Sequence, residues 1–216
     1  NPVSTTSISA CDAYNRGVHR FLGAEPSVEE SFQLAIGEDP EFALAYIGLA
    51  REMQIRGRPD DVRTSLGNAR ELNENLSERE KSHIHVSAFL LEGKSAQARA
   101  AVYEHVTHWP KDVLIAQMCT SVFGLIGFSG LPGREAEQLA FVSGLASHYG
   151  DNWWFRAQLA FAQLEVGQLE TAAVNIEAAL NGNPDSAHSK HVRAHLYYEN
   201  MEDEELQKFY KNLMIS

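Results

Sequence analysis

Residues 188–199 read His-Ser-Lys-His-Val-Arg-Ala-His-Leu-Tyr-Tyr-Glu and hold three of the chain's nine histidines, with two tyrosines and a carboxylate. On a helix, His191 and His195 stand four residues apart, the spacing at which two imidazoles can share a metal ion. At 100° per residue, with His191 as origin, His195 falls near +40°, His188 near +60°, Glu199 near +80° and Tyr198 near −20°; all five share roughly 100° of arc. Glu199 stands about 12 Å further along the axis than His191, too far to complete the same coordination sphere. A third ligand must come from elsewhere, and His83 is a distant candidate. His191 and His195 are therefore weak metal candidates. The same face also suits the polar-aromatic wall of a binding groove, or burial against a further helix pair.

Other chemistry finds less support. There is no G-x-S-x-G, no glycine-rich phosphate loop and no local Cys-His signature, so no catalytic and no cofactor-binding residue is assigned. His105 and His108 precede the end of a helix, where an imidazolium would complement the macrodipole. Cys11 and Cys119 lack any metal-ligand or disulfide-framework spacing, so a reducing, cytoplasmic setting is expected. The net charge of −11 argues against nucleic acid, which needs an excess of lysine and arginine. No apolar run approaches a membrane span and no signal-peptide pattern opens the chain. The 44% hydrophobic and 22% charged fractions are those of an ordinary folded protein.

The elements that must position these residues are helices. Apolar residues recur at three- and four-residue spacing throughout, and Ala-rich runs such as 42–50 and 96–102 strengthen the pattern. The punctuation is periodic. A glycine precedes a proline by 17 residues three times, at Gly23 and Pro40, Gly93 and Pro110, and Gly167 and Pro184, with starts 70 and 74 residues apart. Gly57 follows Gly23 by 34 residues, and the longer second interval contains the loop 127–133. Each interval thus holds two helix pairs of about 34 to 37 residues. The glycine should end a first helix in a left-handed turn, small alanines should let two helices approach, and the proline should open the next first helix. Ser77-Glu-Arg-Glu80 adds a capping box before an apolar helix.

This register resembles the tetratricopeptide repeat superfamily, best at Gly167, Ala172, Ile176, Ala179, Leu180 and Pro184. Segments 76–115, 150–186 and 191–199 also look like the N-terminal half of tetratricopeptide repeat protein 38-like proteins. The chain is about half as long as those relatives, which implies a shortened relative or a piece of one. The resemblance implies an all-α fold, a right-handed superhelical α-solenoid of about six antiparallel helix pairs in one domain over 1–216. The pairs lie at approximately 8–40, 41–76, 77–110, 111–149, 150–184 and 185–216.

In that family, the concave wall is built by first helices, from positions thirteen, ten, six, three and two before the turn glycine. Carried onto this chain, the frame selects Leu114, Gln117, Ser121, Gly124 and Leu125 in the fourth pair. With Met201 in the glycine's place it selects His188, His191, His195, Tyr198 and Glu199 in the sixth. Arg51, His83, Trp154 and Phe161 come from the other pairs, with Trp154 as an aromatic anchor and Phe155 or Trp153 serving the core. The basic clamp by which some relatives hold a carboxylate is not expected, because the first pair offers Ala10, Ala13, Gly17, Arg20 and Phe21.

The function implied is binding or scaffolding, with a peptide, protein segment or apolar small molecule in the concave groove. The alternative is a helical-repeat enzyme or metal protein using His191 and His195 with a further ligand from the groove or from a missing C-terminal half. Self-association through an exposed apolar end is a third outcome. No cofactor is expected.

Overall fold

A computed structural model describes residues 1–72 and 76–200, which form eleven α-helices and no strand. Where one domain is expected, the contacts divide the chain into two compact units, Asn1–Cys119 and Thr120–Ser216. Among the described residues, no helix is long and apolar enough to cross a membrane.

The first unit contains α1 (Ile8–Gly23), α2 (Val28–Glu38), α3 (Ala43–Ile55), α4 (Pro59–Glu71), α5 (Glu78–Leu91), α6 (Ser95–His108) and the short α7 (Val113–Ala116). The principal contacts join α1 with α2, α3 with α4, and α5 with α6, and α3 also touches both α1 and α5. Connections this short force the chain to reverse before the next helix can pack beside the last. Local chemistry sets the boundaries. Ser7 caps α1 by accepting from the Ala10 N–H, and the Ser77–Glu80 capping box at the start of α5 is complete in both directions. Pro59 sits in the first turn of α4, where it lacks a donor that would be orphaned in any case.

Two expectations about the punctuation need correction. Gly57, Gly93 and Gly167 do adopt positive φ (67°, 75° and 77°), but Gly23 is the last residue of α1, and Ala24 takes the left-handed position at φ 52°. Pro40, Pro110 and Pro184 do not open helices. Each lies three residues before the first helical residue, at Ala43, Val113 and Ala187, where its fixed φ belongs to the turn.

The core of this unit gathers Tyr14, Phe32, Phe42, Leu44 and Ile47 with alanines of α1 to α4. Phe32 is fully buried and lies against the backbone of two neighbouring helices. A Cβ on Gly17 of α1 would stand 2.8 Å from its ring, and one on Gly48 of α3 only 2.3 Å. The two glycines thus form the socket that lets α2 pack between α1 and α3.

The second unit contains α8 (Arg134–Tyr149), α9 (Trp153–Glu165), α10 (Leu169–Gly182) and α11 (Ala187–Glu199). Helices α9 and α10 form the tightest pair, and α8 and α11 both pack on α9. Ala157, Ala160, Ala172 and Ala179 keep backbones close, while Phe161, Leu164, Ile176, Val192 and Leu196 fill the seams.

The expected fourth pair, 111–149, lacks a full first helix. Only Val113–Ala116 is α-helical, followed by a 3-10 turn at Gln117–Cys119. Leu114, Gln117, Ser121, Gly124 and Leu125 therefore do not share a helix face; the last three lie in bends and turns. Gly124, Gly127, Gly130, Pro132 and Gly133 interrupt any helical run here, and the division between the two units falls in the same stretch. Of the sixth pair, α11 is present, whereas Met201 and the residues after it lie outside the described residues.

Candidate functional site

Helix α11 begins because the Ser186 side chain accepts from the Ser189 N–H (3.0 Å). It is held down by Val192 and Leu196, which enter the core with Phe161 and Ile176. The opposite arc is the one anticipated from 100° arithmetic, but its five residues are not equally accessible. His191, Glu199 and Tyr198 are exposed, Tyr198 at 67%, while His188 and His195 are partly covered. His188 turns inward: the Gln158 amide lies 2.7 Å from its Nε2, and the Phe161 ring centroid stands 6.2 Å away. Desolvation, with the neighbouring His191, pushes its pKa down to about 4. His188 is therefore a partly covered group held neutral, with its ring nitrogen accepting from Gln158.

His191 and His195 face one another. Their Nε2 atoms are 3.1 Å apart, and their rings meet edge to face at 4.6 Å. Desolvation and the adjacent His195 lower the His191 pKa, favouring the neutral ring. Glu165, at the end of α9, has its pKa raised by desolvation. The His195 charge opposes that shift, while Glu135 and Glu199 reinforce it. Glu165 thus joins the α11 face to a second feature, a cleft of about 160 Å³ lined by Phe123, Phe128, Arg134, Glu135, Gln138 and Glu165.

That cleft carries a pair of aromatic side chains absent from the groove expectation. Phe123 and Phe128 are 73% and 72% exposed, with ring centroids 5.5 Å apart. The loop beneath them is built by local bonds, from the Phe123 N–H to Ser121 Oγ (3.1 Å) and from the Phe128 N–H to the Gly124 carbonyl (2.9 Å). The signal in the sequence is two phenylalanines among glycines, with no periodic run to bury them.

Four groove candidates are interior residues, which corrects their assignment as open contacts. Trp154 is 1% and Phe161 2% exposed, since α9 has neighbours on several sides. Trp154 packs against Tyr149 at 5.5 Å, and Phe155 is buried beside it, so the core takes both aromatics. Arg51 is buried with its guanidinium 5.7 Å from the Phe21 ring centroid and donates to Gln117 Oε1 (2.9 Å); burial lowers its pKa to about 10.

His83 belongs to a buried charge cluster in the first unit. Asp112 accepts from Arg79 Nη1 (2.6 Å) and contacts His83 Nδ1 with both oxygens (3.0 Å). His105 Nε2 stands 3.3 Å from Asp112, at ion-pair distance but out of hydrogen-bond alignment, and His105 Nδ1 meets Ser82 Oγ (2.8 Å). Burial opposes ionisation of Asp112, yet His83, His105 and Arg79 outweigh it and hold its carboxyl well below the usual range. Arg79 also donates to the Pro2 carbonyl (2.7 Å), and Glu80 accepts from Ser4 and Ser77, tying the N-terminal segment to α5. His105 is thus an internal partner of Asp112 as well as a residue near a helix end. All four cluster residues are buried, so the arrangement cross-links α5, α6 and the turn before α7.

Among the described residues, no group of three or more His, Cys, Asp or Glu is placed to hold a metal ion. No family model and no curated protein matches the sequence, so the reading of the site rests on its own residues.

Proposed function

We propose that this chain is a helical-repeat recognition protein of the tetratricopeptide type, which binds a peptide or protein segment carrying basic and apolar side chains. The observation that carries the reading is the exposed Phe123–Phe128 pair set beside Glu135 and Glu165. Two aromatic rings left in water cost solvation that a partner would recover, and aromatics of this kind are the usual anchors of recognition surfaces. Glu165 beside them, on a chain of net charge −11, favours a lysine or arginine stacked on the rings, while Glu135 is engaged by Arg134 at 3.0 Å. The repeat register supports the fold type: three positive-φ turn glycines, and first helices α1, α3 and α5 that touch in succession.

Selection of short peptides from a display library, followed by anisotropy titration of the selected sequences, tests the proposal. Basic sequences with aromatic or aliphatic residues should be enriched. Phe123→Ser with Phe128→Ser should weaken their binding by about tenfold or more while leaving the melting temperature in place. Enrichment of acidic sequences, or binding indifferent to both substitutions, would overturn it.

A further inference from the structure

We propose that His191 and His195 form a two-imidazole clamp for a borderline divalent metal ion such as Zn²⁺ or Ni²⁺ on the accessible face of α11. The clamp requires nothing of the peptide reading. Its basis is a fit of distances. A tetrahedral metal with nitrogen bonds of about 2.0–2.1 Å holds two ligand nitrogens roughly 3.3 Å apart, and the two Nε2 atoms already stand at 3.1 Å. Little motion is needed to admit an ion between them.

The helix makes the clamp rigid. The Ser186 cap fixes its start, and Val192 and Leu196 hold the opposite side in the core, so the two rings issue from successive turns of an anchored element. Phe161 lies beneath, with its centroid 5.7 Å from the His195 ring. With one ring protonated at Nε2 and the other not, the pair shares an N–H···N hydrogen bond, and loss of that one proton turns both nitrogens into ligands for a cation placed between them. Glu165 adds negative potential near His195 without entering the coordination sphere, and that potential favours a divalent cation. Two protein nitrogens leave the remaining positions to water or to a donor brought by a partner, so the site is open, weak and exchangeable.

Calorimetric titration of the purified protein with Zn²⁺ alone, and separately with Ni²⁺, in a non-chelating buffer tests the clamp. One equivalent should bind and raise the melting temperature by mass action. His191→Gln and His195→Gln should each weaken that equivalent by about tenfold or more, whereas His148→Ala on α8 should not. Circular dichroism of each variant without metal shows that the fold is kept. A metal equivalent that survives the double substitution, or the absence of binding by the wild type, would overturn the assignment. Peptide affinity measured without metal reports on the other proposal alone.

Discussion

Arg79 and Asp112, thirty-three residues apart in sequence, meet at 2.6 Å in the interior of the first unit. Around that contact His83 and His105 approach the same carboxylate, and Arg79 reaches on to the Pro2 carbonyl. Asp112 is thus the nearer counter-charge of Arg79 and orders two imidazoles, so its removal would leave the buried guanidinium with only the more distant Glu80 carboxylate, 4.0 Å away.

Asp112→Ala should accordingly cost about 3–5 kcal/mol, the range for breaking a buried ion pair on one side. Part of the loss should return in the double variant Arg79→Met with Asp112→Ala, since the uncompensated charge is then gone. Urea denaturation midpoints of the three proteins measure this. Equal midpoints for the single and double variants would show that the pair is not what the acid supports.

Most helix ends outside 111–133 are legible because turn and cap chemistry is local. Gly57, Gly93 and Gly167 needed positive φ, and Ser77 with Glu80 needed only each other. The shared arc on α11 was legible for the same reason, being a matter of helical angle. Depth was not. Trp154 and Phe161 sit at positions that could line a wall, but α8, α10 and α11 all pack on α9 and enclose them. The partnership of Asp112 with Arg79, His83 and His105 depends on three segments meeting, which no local spacing encodes. Phe123 and Phe128 carry no such mark, because a glycine-rich stretch reads as loop and nothing in its pattern says which way its rings point.

Gly48→Ala should destabilise the first unit by about 1–3 kcal/mol, the cost of overpacking a filled core. The added methyl would stand 2.3 Å from the buried Phe32 ring, which Gly17 also approaches closely. Gly167→Ala meets no atom within 4 Å, so its penalty of about 1–2 kcal/mol comes only from a left-handed backbone at φ 77°. The two mechanisms separate on adding Phe32→Leu. The smaller side chain should recover part of the Gly48→Ala loss and none of the Gly167→Ala loss, as read by thermal melts; equal recovery would contradict the socket.

His188 makes the second unit sensitive to acid. Its folded-state pKa lies at about 4, against an ordinary value of 6.5. As pH falls through 6.5, the unfolded chain takes up a proton that the folded chain refuses until about pH 4, so protonation favours unfolding across that window. The stability linked to this group is complete above 6.5 and declines as the solution is acidified, by about 3 kcal/mol at most for a shift of this size. His188→Gln removes the titration while leaving a polar group opposite the Gln158 amide. Melting temperatures followed from about pH 7 to pH 4.5 should therefore fall less steeply in the variant than in the wild type. Parallel curves would mean that the ring is already solvated, and the account of Gln158 and Phe161 as its desolvating wall would fail.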